Sequence, residues 1–208
     1  MSYISGHKDK LLFVPLGGCG EIGMNLNLYG AEGKWIMVDL GMTFGEPGVP
    51  GVDLMFPDTS FAEREKKNIL ALVVTHGHED HIGAIPYLWS RLSCPIYATP
   101  FTKELVRLKL EEAGLVGQVP LYDAKPGDDI ALGPFSVRYV PLAHSIAEGN
   151  GLKITTKFGT LFHTGDWKMD DGPVIGPESP DTALKVIGDE GVLALIGDST
   201  NVFNANAS

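Results

Sequence analysis

The sequence predicts a layered α/β protein built on mixed or largely antiparallel sheets, not a doubly wound parallel one. Three observations carry this. Strand-length apolar runs outnumber helical stretches, hairpin-like pairs of runs recur, and 44% apolar content over 208 residues is that of a folded domain. Leu11-Leu12-Phe13-Val14 reads as the first buried strand. Met24 to Tyr29 alternates apolar and polar positions, as a strand with one covered face does, and pairs with Trp35-Ile36-Met37-Val38 as a hairpin. Leu70 to Val74 is a further buried strand. A helix is expected from His81 to Leu92, with Pro86 in its first turn. Another is expected from Thr102 to Ala113, with Leu105 and Leu108 on its apolar side and Gly114 as its stop. Ile130 to Leu132 and the alternating Phe135 to Val140 form a second hairpin, and Thr160 to Thr164 is a strand. Asp181-Thr182 cap a helix running to about Glu190, and Leu193 to Ile196 is the last strand.

Sixteen basic side chains stand against 26 acidic ones, a formal net charge of −10. That balance counts against a protein that holds nucleic acid by bulk charge, because such proteins neutralise phosphates with clustered Lys and Arg. A local positive site stays open. Cys19 and Cys94 are too few for a disulfide framework and are expected as reduced thiols. The first ten residues are polar and charged, and the best apolar run, Ile69 to Val74, falls far short of the roughly 20 residues that span a bilayer. The expectation is a cytoplasmic protein with no membrane segment.

Gly18-Cys19-Gly20-Glu21-Ile22-Gly23 satisfies the dinucleotide-binding pattern G-x-G-x-x-G, and Asp39 lies where a ribose-binding acid would stand. That fingerprint needs a helix opening at the glycines, since the helix N-terminus faces the pyrophosphate. Here a period of two comes next, so the glycines are read as a turn between strands.

The chemistry concentrates in Thr75-His76-Gly77-His78-Glu79-Asp80-His81, directly after an apolar strand. Three imidazoles and two carboxylates at such density are the make-up of a cation site. His76 and His78 are two apart, so an extended chain points both the same way, while Asp80 and His81 come after a bend and face a second position. Neutral nitrogens with a hard oxygen suit zinc first, and manganese or iron after it. One loop cannot close two metal sites. His144 and Asp166 each follow a strand, and loops at one edge of a sheet sandwich bring such residues together. A carboxylate such as Asp166 has two oxygens and can bridge two cations. His163 is read as a structural, hydrogen-bonded histidine.

The set Asp39, His76-x-His78-x-Asp80-His81, His144 and Asp166 resembles the metallo-β-lactamase superfamily over nearly the whole chain. The stretches PLGGCGEIGMN (residues 15–25), THGHEDHIGAIP (75–86), HTGDWK (163–168) and GDSTN (197–201) narrow the resemblance to the bacterial ribonuclease J family, in the beta-CASP branch. The resemblance implies a metallo-β-lactamase αββα sandwich, here incomplete. Residues 1–208 would be its N-terminal portion, ending where the beta-CASP insertion starts, with the beta-CASP and C-terminal parts absent. It implies that His76, His78 and His144 hold one zinc, that Asp80 and His81 hold another, and that Asp166 bridges them. Asp80, His81 and Asp166 would also act in catalysis. Asp39 would orient ligands, and Asp198 matches the acidic motif that opens the beta-CASP region.

The activity implied by this resemblance is that of a zinc-dependent ribonuclease, with manganese possible. It would act as 5′-to-3′ exonuclease and endonuclease on RNA in maturation (rRNA processing included) and decay. The full-length enzyme would be a homo-oligomer. The piece itself is expected to be inactive or weakly active, with its second metal position weak or empty. Two other readings stay open: a small-molecule metallo-hydrolase of thioesterase, lactonase or β-lactamase type, and a catalytically silent metal-binding module.

Overall fold

The computed structural model describes residues 2–45, 48–170, 172 and 181–202. In chain order the elements are β1 (Leu12–Gly17), β2 (Leu26–Ala31), β3 (Lys34–Val38), β4 (Thr43–Phe44), β5 (Leu54–Met55), α1 (Ser60–Glu65) and β6 (Ile69–Val73). Next come α2 (Glu79–Ile82), α3 (Ile85–Leu92), β7 (Ile96–Ala98), α4 (Pro100–Glu112), β8 (Leu121–Asp123) and β9 (Asp129–Leu132). The last are β10 (Phe135–Pro141), β11 (Asn150–Thr156), β12 (Gly159–His163), α5 (Asp181–Glu190) and β13 (Ala194–Ile196).

Two main sheets face each other. The first runs β1-β2-β3-β6-β7-β8, and the second β13-β12-β11-β10-β9. In the first, β1, β2 and β3 are antiparallel neighbours while β3, β6, β7 and β8 run parallel. The second is antiparallel except for the parallel pair β12–β13. Both expected hairpins form.

Alternation within each strand divides the first sheet's side chains between two cores. Leu26, Leu28, Trp35, Met37 and Leu72 pack on one face with Ile82, Ile85, Leu88 and Trp89 from the helices. Tyr29, Ile36, Val38 and Val73 pack on the other with Val137, Tyr139, Leu152 and Ile154 of the second sheet. Covered on both faces, such strands read as near-continuous apolar runs. The outer face of the second sheet carries Val140 and Phe162, which pack with Ile187 and Leu184 of α5. The layers are therefore helix, sheet, sheet, helix.

Several local expectations are corrected. All six residues of β2 are buried, so the alternation of Met24 to Tyr29 is chemical only: Asn27 is polar yet enclosed. The helix expected over His81 to Leu92 is two helices, because the chain turns at residues 83–84 and Pro86 begins a new first turn in α3. In α4 the buried stripe is Thr102, Val106 and Leu110, while Leu108 is 44% exposed, so the apolar side lies part of a turn away from the expected one. Helix α5 spans the expected residues, and the capping role of the Asp181 side chain lies outside what the structure describes. The short strands β7 and β8, the two-residue β4 and β5, the strand β11 and the helix α1 are additions to the expected elements. No helix among the described residues is long and apolar enough to cross a membrane.

The first sheet's parallel strands share a direction, so their C-terminal ends lie along one edge. Asp39 follows β3 there, and residues 75–78 follow β6. From the second sheet, His144 follows β10, Asp166 follows β12 and Asp198 follows β13. Loops beyond strand ends are where α/β proteins place ligands.

Candidate metal centre

The loop after β6 is held by main-chain bonds. Asn25 N–H donates to the Asp80 carbonyl at 3.0 Å, Leu40 N–H to the His81 carbonyl at 2.8 Å, and Met42 N–H to the Glu79 carbonyl at 3.1 Å. Gly41 is what permits this approach. A Cβ there would lie 1.6 Å from the Asp80 carbonyl oxygen. Asp39 takes a left-handed backbone, φ +61°, and is fully buried. A non-glycine residue held in that region costs of order 1–3 kcal/mol, and such residues cluster at functional sites.

That strain aims the Asp39 carboxylate. It accepts from Thr75 N–H at 2.8 Å and Thr75 Oγ1–H at 2.9 Å, and from His81 Nδ1–H at 2.8 Å. With Nδ1 bonded, His81 presents the Nε2 lone pair. His76 Nδ1 lies 3.1 Å from Thr75 Oγ1, whose own hydrogen goes to Asp39, so His76 also presents Nε2. Such partners raise ligand basicity and fix ring orientation. Asp39→Asn keeps a residue that tolerates the left-handed backbone and removes the charge. Affinity for a divalent cation is expected to fall about 10- to 100-fold in competition with a chelator, with the fold retained.

Two groups of donors result. His76 Nε2 and His144 Nε2 each lie 3.1 Å from His78 Nδ1. His81 Nε2 lies 3.5 Å from Asp80 Oδ2 and 3.3 Å from Asp166 Oδ1, while Asp166 Oδ2 turns to His144 Nε2 at 3.7 Å. His76, His78 and His144 form one set of converging ligand atoms, and His76, His81 and Asp166 another. Six residues selected from the sequence thus meet: His76, His78, Asp80, His81, His144 and Asp166. Glu79, from the same loop, turns away to Lys109 at 2.5 Å. Asp198 sits at the rim. Its backbone N–H donates to Thr164 Oγ1 at 3.0 Å, and its carboxylate accepts from Thr200, not from the histidines.

Asn25 joins the site without having been expected there. Its Nδ2 lies 3.1 Å from the Asp80 carbonyl and 3.2 Å from His81 Nε2. In the sequence it closes the motif PLGGCGEIGMN, but composition and spacing alone give that position no role at the metal loop. His163 is placed as expected: buried, with Nδ1 2.8 Å from the Tyr29 hydroxyl.

The electrostatics fit a cation. Burial, then the neighbouring imidazole His81, pushes His76 down to about 2, and burial also lowers His144, so both keep free lone pairs. Burial pushes His81 down too, but the Asp39, Asp166 and Asp80 carboxylates outweigh it and hold the ring well above its ordinary value, so without a cation Nε2 keeps a proton that a bound metal ion would displace to free its lone pair. His78 Nδ1 lies 3.1 Å from both His76 Nε2 and His144 Nε2, and one ring hydrogen cannot satisfy both. A divalent cation meets every lone pair at once, and the donor chemistry of both sets suits one.

A family profile described as the metallo-beta-lactamase superfamily matches residues 24–166, the stretch that carries both donor sets. The chain belongs to this superfamily. Metallo-beta-lactamase proteins bind divalent metal, and the two donor sets are this chain's candidate ligands. The chain is 47% identical over 204 residues to a protein named ribonuclease J from Sinorhizobium meliloti, covering 96% of this chain and 36% of that one. It is 40% identical over 203 residues to ribonuclease J of Thermus thermophilus, covering 94% and 35%. It therefore spans about a third of the length of these curated relatives. Among solved structures, the metallo-beta-lactamase fold protein YhfI from Bacillus subtilis matches with a TM-score of 0.55 at 16% identity, over 76% of this chain and 64% of that one. A protein of unknown function from Enterococcus faecalis matches with a TM-score of 0.58 at 20% identity, over 77% and 44%. These two likenesses bear on the fold, which is that of the metallo-beta-lactamase superfamily.

Proposed function

We propose that this chain supplies the metal-binding part of a zinc-dependent ribonuclease that hydrolyses RNA phosphodiester bonds. The observation that carries the reading is the pair of adjacent donor sets with Asp166 facing both, in a chain 47% identical to a ribonuclease J. His76, His78 and His144 would hold one zinc, Asp80 and His81 the other, and Asp166 would bridge. A tetrahedral zinc with bonds of about 2.0–2.1 Å needs ligand nitrogens roughly 3.3 Å apart. The 3.1 Å spacings of His78 to His76 and to His144 are close to that. When bound, such a cation pair lowers the pKa of a water toward neutrality and offsets charge building on the phosphoryl oxygens.

The chain's own groups do the rest. Asn25 Nδ2 donates to the Asp80 carbonyl at 3.1 Å and reaches Asp80 Oδ2 at 3.5 Å, which fixes the Asp80 carboxylate where it would orient the attacking water and accept its proton. Asp39 and Thr75 keep His81 and His76 in the tautomers that present Nε2. Positive charge confined to the metal positions reconciles phosphate chemistry with a net charge of −10. The 5′-to-3′ exonuclease and endonuclease modes, and a role in RNA maturation and decay, belong to this reading through the ribonuclease J resemblance.

The test pairs elemental analysis with hydrolysis of a 5′-monophosphorylated RNA by the intact protein. Two equivalents of zinc and RNA cleavage abolished by chelator are expected. Hydrolysis of thioesters or lactones with RNA untouched would instead establish the small-molecule hydrolase.

A further inference from the structure

His144 reaches the centre on the loop of residues 142–149, which joins β10 to β11. The loop doubles back on itself, with Leu142 N–H donating to the Gly149 carbonyl at 2.9 Å. A Cβ at Gly149 would lie 3.2 Å from His144 Cβ, so the returning arm rests directly against the histidine. Whatever places that arm places His144.

The returning arm carries two features that local stability would not select. Glu148 takes a left-handed backbone, φ +57°, where glycine or asparagine is the usual residue. Asn150 is 1% exposed, and its Oδ1 is the one buried polar side-chain atom without a partner among the described residues. Both features are unfavourable in themselves. Asn150 Nδ2–H donates to the Glu148 carbonyl at 2.7 Å, so the enclosed amide is committed to holding the left-handed residue in place. Conformations of this kind persist where their surroundings over-determine them, and they gather at functional sites.

The Glu148 side chain gives the reason. Its Oε2 accepts from Phe101 N–H at 2.9 Å, in the first turn of α4. Thr99 makes no capping hydrogen bond to that helix, and no acidic residue stands in its first turn. Glu148 supplies the acceptor and the negative charge that a helix start favours, from a loop of the other sheet. Helix α4 also supports the first metal loop. A Cβ at Gly77, between His76 and His78, would lie 2.5 Å from Leu105 Cδ1 of α4 and 3.5 Å from Ile146 Cδ1 of the His144 loop. Further along the helix, Lys109 pairs with Glu79.

We propose that Glu148 is a positioning residue for the three-histidine set: its bond to Phe101 N–H clamps the His144 loop to α4 and so fixes how far His144 stands from His76 and His78. This rests on the reading of His144 as a metal ligand. Glu148 acts through Gly149 and the backbone of His144. One helix then serves as the common reference for ligands that arrive from two different sheets.

The test uses the intact protein in competition with a chelator, for zinc and for cobalt(II), whose visible absorption reports the geometry of its ligands. Glu148→Asn suits the left-handed backbone but falls one methylene short of Phe101. It is expected to weaken binding of the tightest equivalent about tenfold and to alter the cobalt absorption. Glu148→Gln keeps an oxygen acceptor at full length and is expected to restore both readouts to the parent's values. Lys103→Ala removes the Lys103–Asp123 pair, which ties the first turn of α4 to β8 and not to the His144 loop. It is expected to leave affinity and absorption as in the parent. Parent-like affinity and absorption in Glu148→Asn overturn the clamp, as does failure of Glu148→Gln to restore them. An effect of Lys103→Ala as large as that of Glu148→Asn overturns it too, because the role would then be helix stability alone. His144→Ala separates the two claims and is expected to weaken binding more than Glu148→Asn does. If it leaves affinity unchanged, the ligand reading falls and the clamp with it; if it weakens binding while Glu148→Asn does not, only the clamp falls.

Discussion

His78→Ala is expected to remove the tightly held cation of the three-histidine set and to reduce hydrolysis by about a thousandfold or more, roughly 4 kcal/mol of barrier. The reason is geometric. His78 Nδ1 is the atom that both His76 Nε2 and His144 Nε2 approach at 3.1 Å, so its loss leaves two donors where three converged. The fold should survive, because His78 is only partly buried and the loop around it is fixed through the main chain at residues 79–81. Thermal unfolding separates these effects. A cation that binds only the folded state raises the unfolding temperature of the parent protein, and the variant should lose that rise while matching the metal-free parent. Full divalent-metal content in His78→Ala by elemental analysis would reject the ligand assignment.

The largest effect on stability is expected away from the centre, at Glu65. This carboxylate is 2% exposed. It accepts from Ser2 Oγ–H, Tyr3 N–H, Trp35 Nε1–H and Asn68 Nδ2–H, tying the start of the chain to α1 and to the buried face of β3. Glu65→Ala strands these donors, of which the Trp35 indole N–H lies in the helix-side core. A loss of about 3 kcal/mol is expected in denaturant unfolding, since each unsatisfied buried donor costs about 1–3 kcal/mol. Burial pushes the Glu65 pKa up, but the four hydrogen bonds outweigh it and leave the group below its ordinary value of 4.5. The stability this adds is complete above about pH 4.5 and fades as pH falls through the lower pKa of the folded state. Glu65→Gln should lack that acid-side decline and be less stable than the parent at neutral pH. Parallel pH profiles for parent and variant would refute this account.

Much of the architecture is legible because burial on two faces leaves a direct mark on composition. Trp35 to Val38 and Leu70 to Val74 carry that mark as unbroken apolar runs, and the metal loop follows the second of them. The histidines are legible for a related reason: His76, His78 and His81 are too dense for any ordinary surface or core. His144 and Asp166 can be found because each follows a strand that itself can be read. What stays hidden depends on contacts between distant segments. Strands β7 and β8 have three residues each, too few to show a period, and extend the sheet by successive parallel pairing, β7 onto β6 and β8 onto β7. Asn25 belongs to the centre because residues 24–42 wrap against residues 79–81, a contact between distant segments that neither motif spells out by its own spacing.

The backbone bonds from Asn25, Leu40 and Met42 to the carbonyls of residues 79–81, with Gly41 pressed against Asp80, separate the mounting of the metal loop from the identity of its side chains. A frame that does not depend on its ligands can accept new ones. Exchanging imidazole for carboxylate at His78 or His144 should leave the chain path unaltered while moving the cation preference toward harder ions such as manganese. Cation choice would then be adjustable one residue at a time, with Gly41 as the position that must stay fixed.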